Sequence, residues 1–205
     1  MRPQIILAFF VLVAAIFSCH RVYHIPDKDK KWLPYKGNET LVFADVGNNF
    51  DTVALMGFET SQVYIDSRPI SPGEAEQIRL ISLYNDSDTI NDRYRKARSS
   101  LVFQSAGTQN NSFIGINFYA KNARFSPTKS YTPDYFDTAT TITIATRLKK
   151  YDDVIILLPD VVEDSNFKYN QKANFISKLY WSKSDGIVRY DKNSNSWELV
   201  EKYGR

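Results

Sequence analysis

Apolar and polar positions alternate along most of the chain from Glu39 onward, and turn residues separate the alternating segments. An alternation of period two is typical of strands that turn one face towards a core. The pattern therefore predicts a mostly β domain, an antiparallel meander that forms a curved sheet, a half-barrel or a sandwich. The predicted strands are Glu39 to Asp45, Asp51 to Gly57, Gln62 to Ser67, Ile78 to Tyr84, Ser99 to Ser105, Ser112 to Ala120, Thr140 to Thr146, Asp153 to Leu158, Phe175 to Lys183, Gly186 to Tyr190 and Trp197 to Lys202.

Helical signals are few, and we expect at most one or two short helices. The segment Ser71 to Glu74 has a capping residue, a proline at the first helical position and a glutamate three residues after the cap. This arrangement predicts a single helical turn that leads into the strand Ile78 to Tyr84.

Two predicted connections are long, Lys121 to Ala139 and Pro159 to Lys172. Connections longer than about 12–15 residues are uncommon in compact domains and are often functional, so we expect a binding surface in them. Aromatic rings beside a carboxylate can anchor a protein partner or stack on a glycan, and the alternative is that these rings cover the open end of the sheet. The candidate ligand-binding residues are Tyr131, Asp134, Tyr135 and Phe136 in the first loop and Phe167 and Tyr169 in the second.

The N-terminal segment has the pattern of an export signal. Arg2 precedes an unbroken apolar run from Ile5 to Phe17, which falls within the roughly 7–15 residues of a signal-peptide core and short of the ~20 that cross a membrane. Residues 1–18 are therefore predicted to be a signal peptide. The run ends at Ser18, directly before Cys19, and this arrangement resembles the lipobox of bacterial lipoproteins, whose cysteine is lipidated. The alternative is an ordinary secretory signal that ends by chance at a cysteine.

Cysteine usage agrees with a lipid anchor, because Cys19 is the only cysteine and no internal disulfide can form. The next residues carry the charged run Asp27 to Lys31 between Pro26 and Pro34. We therefore interpret residues 19–36 as the anchor and a solvated tether. The alternative is that the basic residues of this segment contact anionic lipid headgroups. Residues 37–205 are predicted to form a single β-rich domain.

A resemblance to a known group of proteins supports the same location. The segments Trp32 to Phe43, Leu179 to Tyr190 and Trp197 to Leu199, after a lipobox, resemble small uncharacterised lipoproteins of the Bacteroidota. The resemblance implies an envelope protein with a β-rich fold, and it implies no activity. We expect an outer membrane lipoprotein on the periplasmic face, because the residues after Cys19 lack the acidic cluster linked to surface export in these bacteria.

The same resemblance adds a candidate modification. Three tripeptides, each of the form Asp-Thr-aliphatic, are similar to the O-glycosylation acceptors of exported Bacteroidota proteins. Their threonines are Thr52, Thr89 and Thr138. Such tripeptides are also typical of the starts of strands, so both interpretations stay open here.

The composition excludes most catalytic classes. Both histidines, His20 and His24, precede the predicted domain, which leaves it without the partner that triads, Cys–His pairs and histidine-ligated zinc require. No phosphate-cradling glycine loop or dinucleotide fingerprint is present. The net charge is only +3 and the basic residues form no cluster along the sequence, so no nucleic acid is expected as a partner. We expect a non-enzymatic protein without cofactor or metal.

The predicted function is a lipid-anchored binding module that is attached to the membrane through Cys19 and uses aromatic loops to bind a protein or glycan. A second function follows from the fold, because a curved sheet can hold a lipid or another apolar ligand on its concave face. A carboxylate-based glycosidase is less favoured. Its candidate residues would come from the acidic side chains near the long loops: Asp134, Asp137, Asp152, Asp153, Asp160, Glu163 and Asp164.

Overall fold

The computed structural model describes residues 21–64, 73–84, 96–105, 112–120, 123–125, 130–159, 175–192 and 194–204. Besides the strands, these residues form a 3₁₀ turn at Lys30–Trp32 and a short helix α1 at Pro133–Thr138. The strands are β1 Arg21–Tyr23, β2 Glu39–Ala44, β3 Phe50–Tyr64, β4 Gly73–Tyr84, β5 Lys96–Ser105, β6 Ser112–Ile116, β7 Phe118–Ala120, β8 Ala123–Phe125, β9 Ile142–Ala145, β10 Lys150–Leu157, β11 Ile176–Ser182, β12 Gly186–Lys192 and β13 Asn195–Gly204.

One large sheet dominates the described residues, and the predicted mostly β, antiparallel fold is confirmed. Eleven strands form this sheet, and its main path runs β6-β5-β4-β3-β2-β13-β12-β11-β10-β9. Strand β1 adds to β4 in parallel, whereas the other pairs in the sheet are antiparallel. The sheet does not close on itself, so β6 and β9 are its edges. Strands β7 and β8 form a separate two-stranded sheet.

The helical turn predicted at Ser71 to Glu74 is wrong in its described part. Gly73 begins β4, and Ser71 and Pro72 lie outside the described residues. Glu74 is paired on one side with Tyr64 of β3 and on the other with Val22 of β1. Ladder hydrogen bonds on both sides satisfy more backbone groups than a single capped turn could, so the strand prevails.

The predicted tether is also wrong from Arg21 onward. Strand β1 is paired with β4, and Trp32 is only 5% exposed, with Ile25 and Tyr35 buried beside it in the core. The hydroxyl of Ser112 donates a 2.5 Å hydrogen bond to Asp29, which is also buried. Residues 21–36 therefore belong to the folded domain, because burial of the apolar side chains in this segment outweighs the effect of its charges and prolines.

The core lies on the inner side of the sheet, and strand β7 packs over part of it. Phe43 of β2, Phe118 of β7 and Tyr190 of β12 form a triangle of rings with centroids 5.3 to 5.5 Å apart. Trp197 stacks on Tyr190 with an interplanar angle of 5°. In the described part of the chain these side chains fill the inner side, which weighs against an apolar ligand held within the sheet.

The gap between the two edges of the sheet is crossed by the segment that contains α1. Tyr131 forms two backbone hydrogen bonds with Ile114 of edge strand β6, of 2.7 and 2.8 Å. The chain then passes through α1 and reaches β9, the opposite edge. Phe136 of α1 packs against Trp32 and Trp181, with ring centroids 5.3 and 6.2 Å away. The part of the predicted loop from Tyr131 to Thr138 is therefore a structural element that covers the core.

Candidate functional site

The aromatic residues predicted in the first long loop are divided between core and surface. Tyr131 and Phe136 are buried, Phe136 to 1% exposure, so their predicted role as exposed binding rings is wrong. Tyr131 belongs to the bridge with β6, and Phe136 is enclosed by Trp32 and Trp181. The two other candidates of this loop, Asp134 and Tyr135, remain on the surface.

The helix α1 explains this division. Thr132 caps it, because its hydroxyl accepts a hydrogen bond from the backbone N–H of Tyr135, and Pro133 occupies its first position. The helix turns Phe136 inward and leaves Asp134 and Tyr135 outward. The sequence carried this signal, since a threonine followed by proline is a good helix start.

The other predicted sites are only partly within the described residues. Thr52 is exposed on β3, and Thr138 is exposed at the end of α1, where its hydroxyl donates to the carbonyl of Asp134 at 2.8 Å. The glycosylation of these threonines stays a prediction. The remaining predicted site residues lie outside the described residues: Cys19, Thr89, Phe167 and Tyr169.

Two of the acidic residues proposed for a glycosidase have structural partners instead. Asp153 accepts hydrogen bonds of 2.8 Å from the Ser182 hydroxyl and from the backbone N–H of Ser184, which fixes the turn between β11 and β12. Asp137 pairs with Lys31 at 2.8 Å and joins α1 to the N-terminal segment. Asp160, Glu163 and Asp164 lie outside the described residues. The partners of Asp153 and Asp137 give these two described residues structural roles and no support to a catalytic pair between them.

The strongest candidate surface lies at the turns β2–β3 and β9–β10, where large apolar side chains face solvent. Val46 is 82% exposed, Phe50 62% and Leu148 40%. We call these three residues, with Asn48 and Arg147, the turn-pair surface. Exposed apolar residues grouped in this way mark interaction sites more often than singly scattered ones do.

The turn between β2 and β3 is held by Asp45. Its carboxylate accepts hydrogen bonds from the backbone N–H of Asn49 at 2.9 Å and from the side-chain amide of Asn49 at 2.8 Å. Asn48 adopts a φ of 59°, a left-handed conformation that asparagine tolerates. The side-chain and backbone hydrogen bonds from Asn49 lower the pKa of Asp45, so the turn keeps its carboxylate ionised.

Arg147 joins the second turn to the first. Its guanidinium donates to the side-chain oxygen of Asn48 at 2.8 Å and to the backbone carbonyl of Asp45. The turn that carries Arg147 is itself closed by Thr146, whose hydroxyl accepts from the backbone N–H of Leu148 at 3.2 Å. Strands β2 and β10 are four places apart in the sheet, so the sheet must curl for these turns to meet. The apolar side chains are therefore presented on a supported pair of turns.

The orientations of Asp51 and Phe50 explain why the sequence alone does not predict the turn-pair surface. Phe50 points outward, whereas its neighbour Asp51 is buried to 2% exposure and accepts a 2.9 Å hydrogen bond from the hydroxyl of Tyr190. Burial, together with the nearby Asp51 carboxylate, raises the pKa of Tyr190, so its proton stays in this bond. An inward aspartate beside an outward phenylalanine reverses the usual preference, and the hydrogen bond from the distant Tyr190 helps to explain it.

A cleft of about 790 Å³ lies beside the N-terminal segment, at the opposite end of β3. Glu76 accepts a 2.9 Å hydrogen bond from the backbone N–H of Ile25 and lies 3.4 Å from the ring nitrogen Nδ1 of His24. The lysines Lys28 and Lys30 and the aspartate Asp27 also line it, so its charge is mixed. The sequence predicts a linker here, so no cleft is expected from it.

Comparison with family models, with curated proteins and with solved structures finds no match for this chain. Among the described residues, no group of three or more histidine, cysteine or acidic side chains is placed to hold a metal ion. No helix in the described ranges has both the length and the apolar character needed to cross a bilayer.

Proposed function

We propose that this protein is a lipid-anchored protein of the bacterial cell envelope, attached to the outer membrane through Cys19 on its periplasmic face. Its β domain is a non-enzymatic binding module that engages a protein partner through the turn-pair surface. The apolar run from Ile5 to Phe17, followed by Ser18 and Cys19, supports the anchor. The observation that carries the binding proposal is the exposure of Val46, Phe50 and Leu148 on turns that Arg147 holds together.

The chemistry of the turn-pair surface favours a protein over a glycan. Three of its five residues, Val46, Phe50 and Leu148, are exposed apolar side chains, and the removal of apolar area from water is the main favourable contribution in most protein–protein association. Its two polar residues, Asn48 and Arg147, are hydrogen-bonded to each other. A sugar needs directed hydrogen-bonding groups around a stacking ring. In the loop that was predicted to bind a protein or glycan, Tyr131 and Phe136 are buried in the core. Of the four candidate residues there, Asp134 and Tyr135 are exposed. We therefore propose a partner with a complementary apolar surface.

The anchor is tested by replacing Cys19 with serine. The natural chain is expected in the membrane fraction, whereas the Cys19→Ser chain is expected in the soluble exported fraction, because serine has no sulfur to carry the lipid. Fractionation of the producing bacterium with incorporation of labelled palmitate measures both. The matched control Ser18→Ala keeps a small residue before the cysteine and should stay on the membrane. Membrane retention of Cys19→Ser without label would contradict the anchor.

The binding surface is tested by placing a photo-crosslinking amino acid at Phe50. We expect one discrete adduct in intact envelopes, and we expect Leu148→Asp to abolish it, because a charge on the same surface opposes apolar contact. The control position is Tyr203, which is about half exposed and pairs with Thr40, at the far end of β2 from the turn. Identical adducts at both positions, or an adduct that survives Leu148→Asp, would rule out the turn-pair surface. Unchanged thermal unfolding of Leu148→Asp shows that the fold is retained.

A further inference from the structure

The folded domain begins almost at the anchor. Strand β1 starts at Arg21, two residues after Cys19. Two residues of extended chain span at most about 7 Å. The headgroup layer on each side of a bilayer is itself roughly 5–7 Å thick. The lipid anchor proposed at Cys19 therefore places the start of β1 within or directly above the headgroups. The inference that follows rests on that anchor.

The segment after Cys19 cannot supply the missing slack. Arg21, Val22 and Tyr23 are paired with β4, and the backbone of Ile25 is bonded to Glu76. Trp32 is then buried in the core. Lifting the domain away from the membrane would require these pairs to open, so the domain stays close to the bilayer.

The groups next to β1 suit a headgroup layer. Tyr64 of β3 lies across Glu74 from Val22, within about 10 Å because neighbouring strands are about 4.8 Å apart, and its side chain is 73% exposed. Tyrosine is favoured at membrane surfaces because its ring is apolar and its hydroxyl is polar. His24 and Lys28 are exposed on the same segment. Lysine there is attracted to lipid phosphates.

The opposite end of β3 carries the turn-pair surface. Strand β3 has 15 residues from Phe50 to Tyr64, and at about 3.3 Å per residue it extends over roughly 45–50 Å. One end of this strand lies beside β1 and the other leads into the turn with Val46. The strand therefore separates the anchored end from the exposed apolar turns.

We propose that the face formed by Tyr23, His24, Lys28 and Tyr64, here called the anchor face, rests on the lipid headgroups of the membrane that holds Cys19. The short link fixes this orientation, and the turn-pair surface is held away from the bilayer. The cleft with Lys28, Lys30 and Glu76 then opens beside the headgroups, where its mixed charge matches their ammonium and phosphate groups.

Fluorescence quenching of the full acylated chain tests this orientation. Lys28→Cys and Val46→Cys each give one free thiol, because the sulfur of Cys19 is occupied by lipid, and each is labelled with an environment-sensitive fluorophore. The protein is reconstituted into phosphatidylethanolamine–phosphatidylglycerol vesicles that contain a lipid with a quencher on its headgroup. Quenching several-fold stronger at position 28 than at position 46 is expected. Equal quenching, or stronger quenching at position 46, would overturn the proposal.

Flotation of the same vesicles separates failure of the anchor from failure of the orientation. Protein that does not float with the vesicles disproves the lipid anchor, whereas floating protein with equal quenching disproves the anchor face alone. A flexible glycine–serine insert of about 20 residues between His20 and Arg21 provides a further arm, since it spans roughly 25 Å. Quenching at position 28 is expected to fall with the insert while flotation is unchanged. Unaltered quenching would refute the role of the short link.

Discussion

Trp32→Ala is expected to lower the free energy of unfolding by about 3–5 kcal/mol, the usual loss for a large aromatic removed from a core. The ring is 5% exposed and packs against Phe136 at 5.3 Å. Its face is covered by Lys31, whose ammonium lies 4.9 Å from the ring centroid. A residue in a solvated tether would change stability by no more than about 0.5 kcal/mol, so this substitution separates a folded segment from a linker.

Urea unfolding of the exported chain carrying Cys19→Ser measures this loss without detergent. The matched control is Lys28→Ala, an exposed position in the same segment, which should leave the unfolding midpoint almost unchanged. A midpoint for Trp32→Ala that equals that of Lys28→Ala would show that residues 21–36 do not contribute to the core.

Gly186→Ala is the second substitution with a large expected effect, a loss of about 2–4 kcal/mol from overpacking and backbone strain together. Gly186 has a φ of +83°, and a Cβ there would lie 2.2 Å from the hydroxyl oxygen of Tyr35 and 2.3 Å from its ring carbon Cζ. Tyr35 is buried, and its hydroxyl accepts a 2.7 Å hydrogen bond from the backbone N–H of Ile187. The ring therefore cannot retreat without leaving that donor unpaired.

Gly57→Ala is the matched control for this clash. Gly57 also has a positive φ, +115°, but a Cβ there meets nothing within 4 Å. Gly57→Ala should thus show the backbone strain alone, and Gly186→Ala should unfold at a clearly lower urea concentration. Combining Gly186→Ala with Tyr35→Ala should cost less than the sum of the two single changes, because the ring that clashes is gone. Equal midpoints for the two alanine variants, or strict additivity, would refute the clash.

Local patterns predicted most of the strands correctly. The segment predicted as Glu39 to Asp45 is β2 at Glu39–Ala44, and the predicted final hairpin is present, with Tyr190 opposite Trp197. These elements depend on alternation and on turn residues, which are encoded within a few positions of each other. Strand β3 is longer than predicted, because it continues through a bulge at Gly57 where two strands were expected.

Predictions failed where distant pairing decided the outcome. The capping signal at Ser71 to Glu74 was overruled by the pairing of Glu74 with both β3 and β1. The charged segment from Asp27 to Lys31 predicts a tether, but Ile25 and Trp32 on either side of it are buried. In both places the local preference of the sequence stabilises the predicted structure less than the contacts with distant residues stabilise the observed one.

The candidate surface shows the same division between local and distant information. By itself the sequence determined the β class and the positions of most turns, because each of these is a property of neighbouring residues. Only the tertiary structure decided which side chains face inward. Asp51 is tolerated in the core because partners there satisfy its carboxylate, among them Tyr190, 139 positions away, and Phe50, the next residue along the strand, faces solvent. A buried polar group requires a partner, and that partner is known only once the sheet has curled.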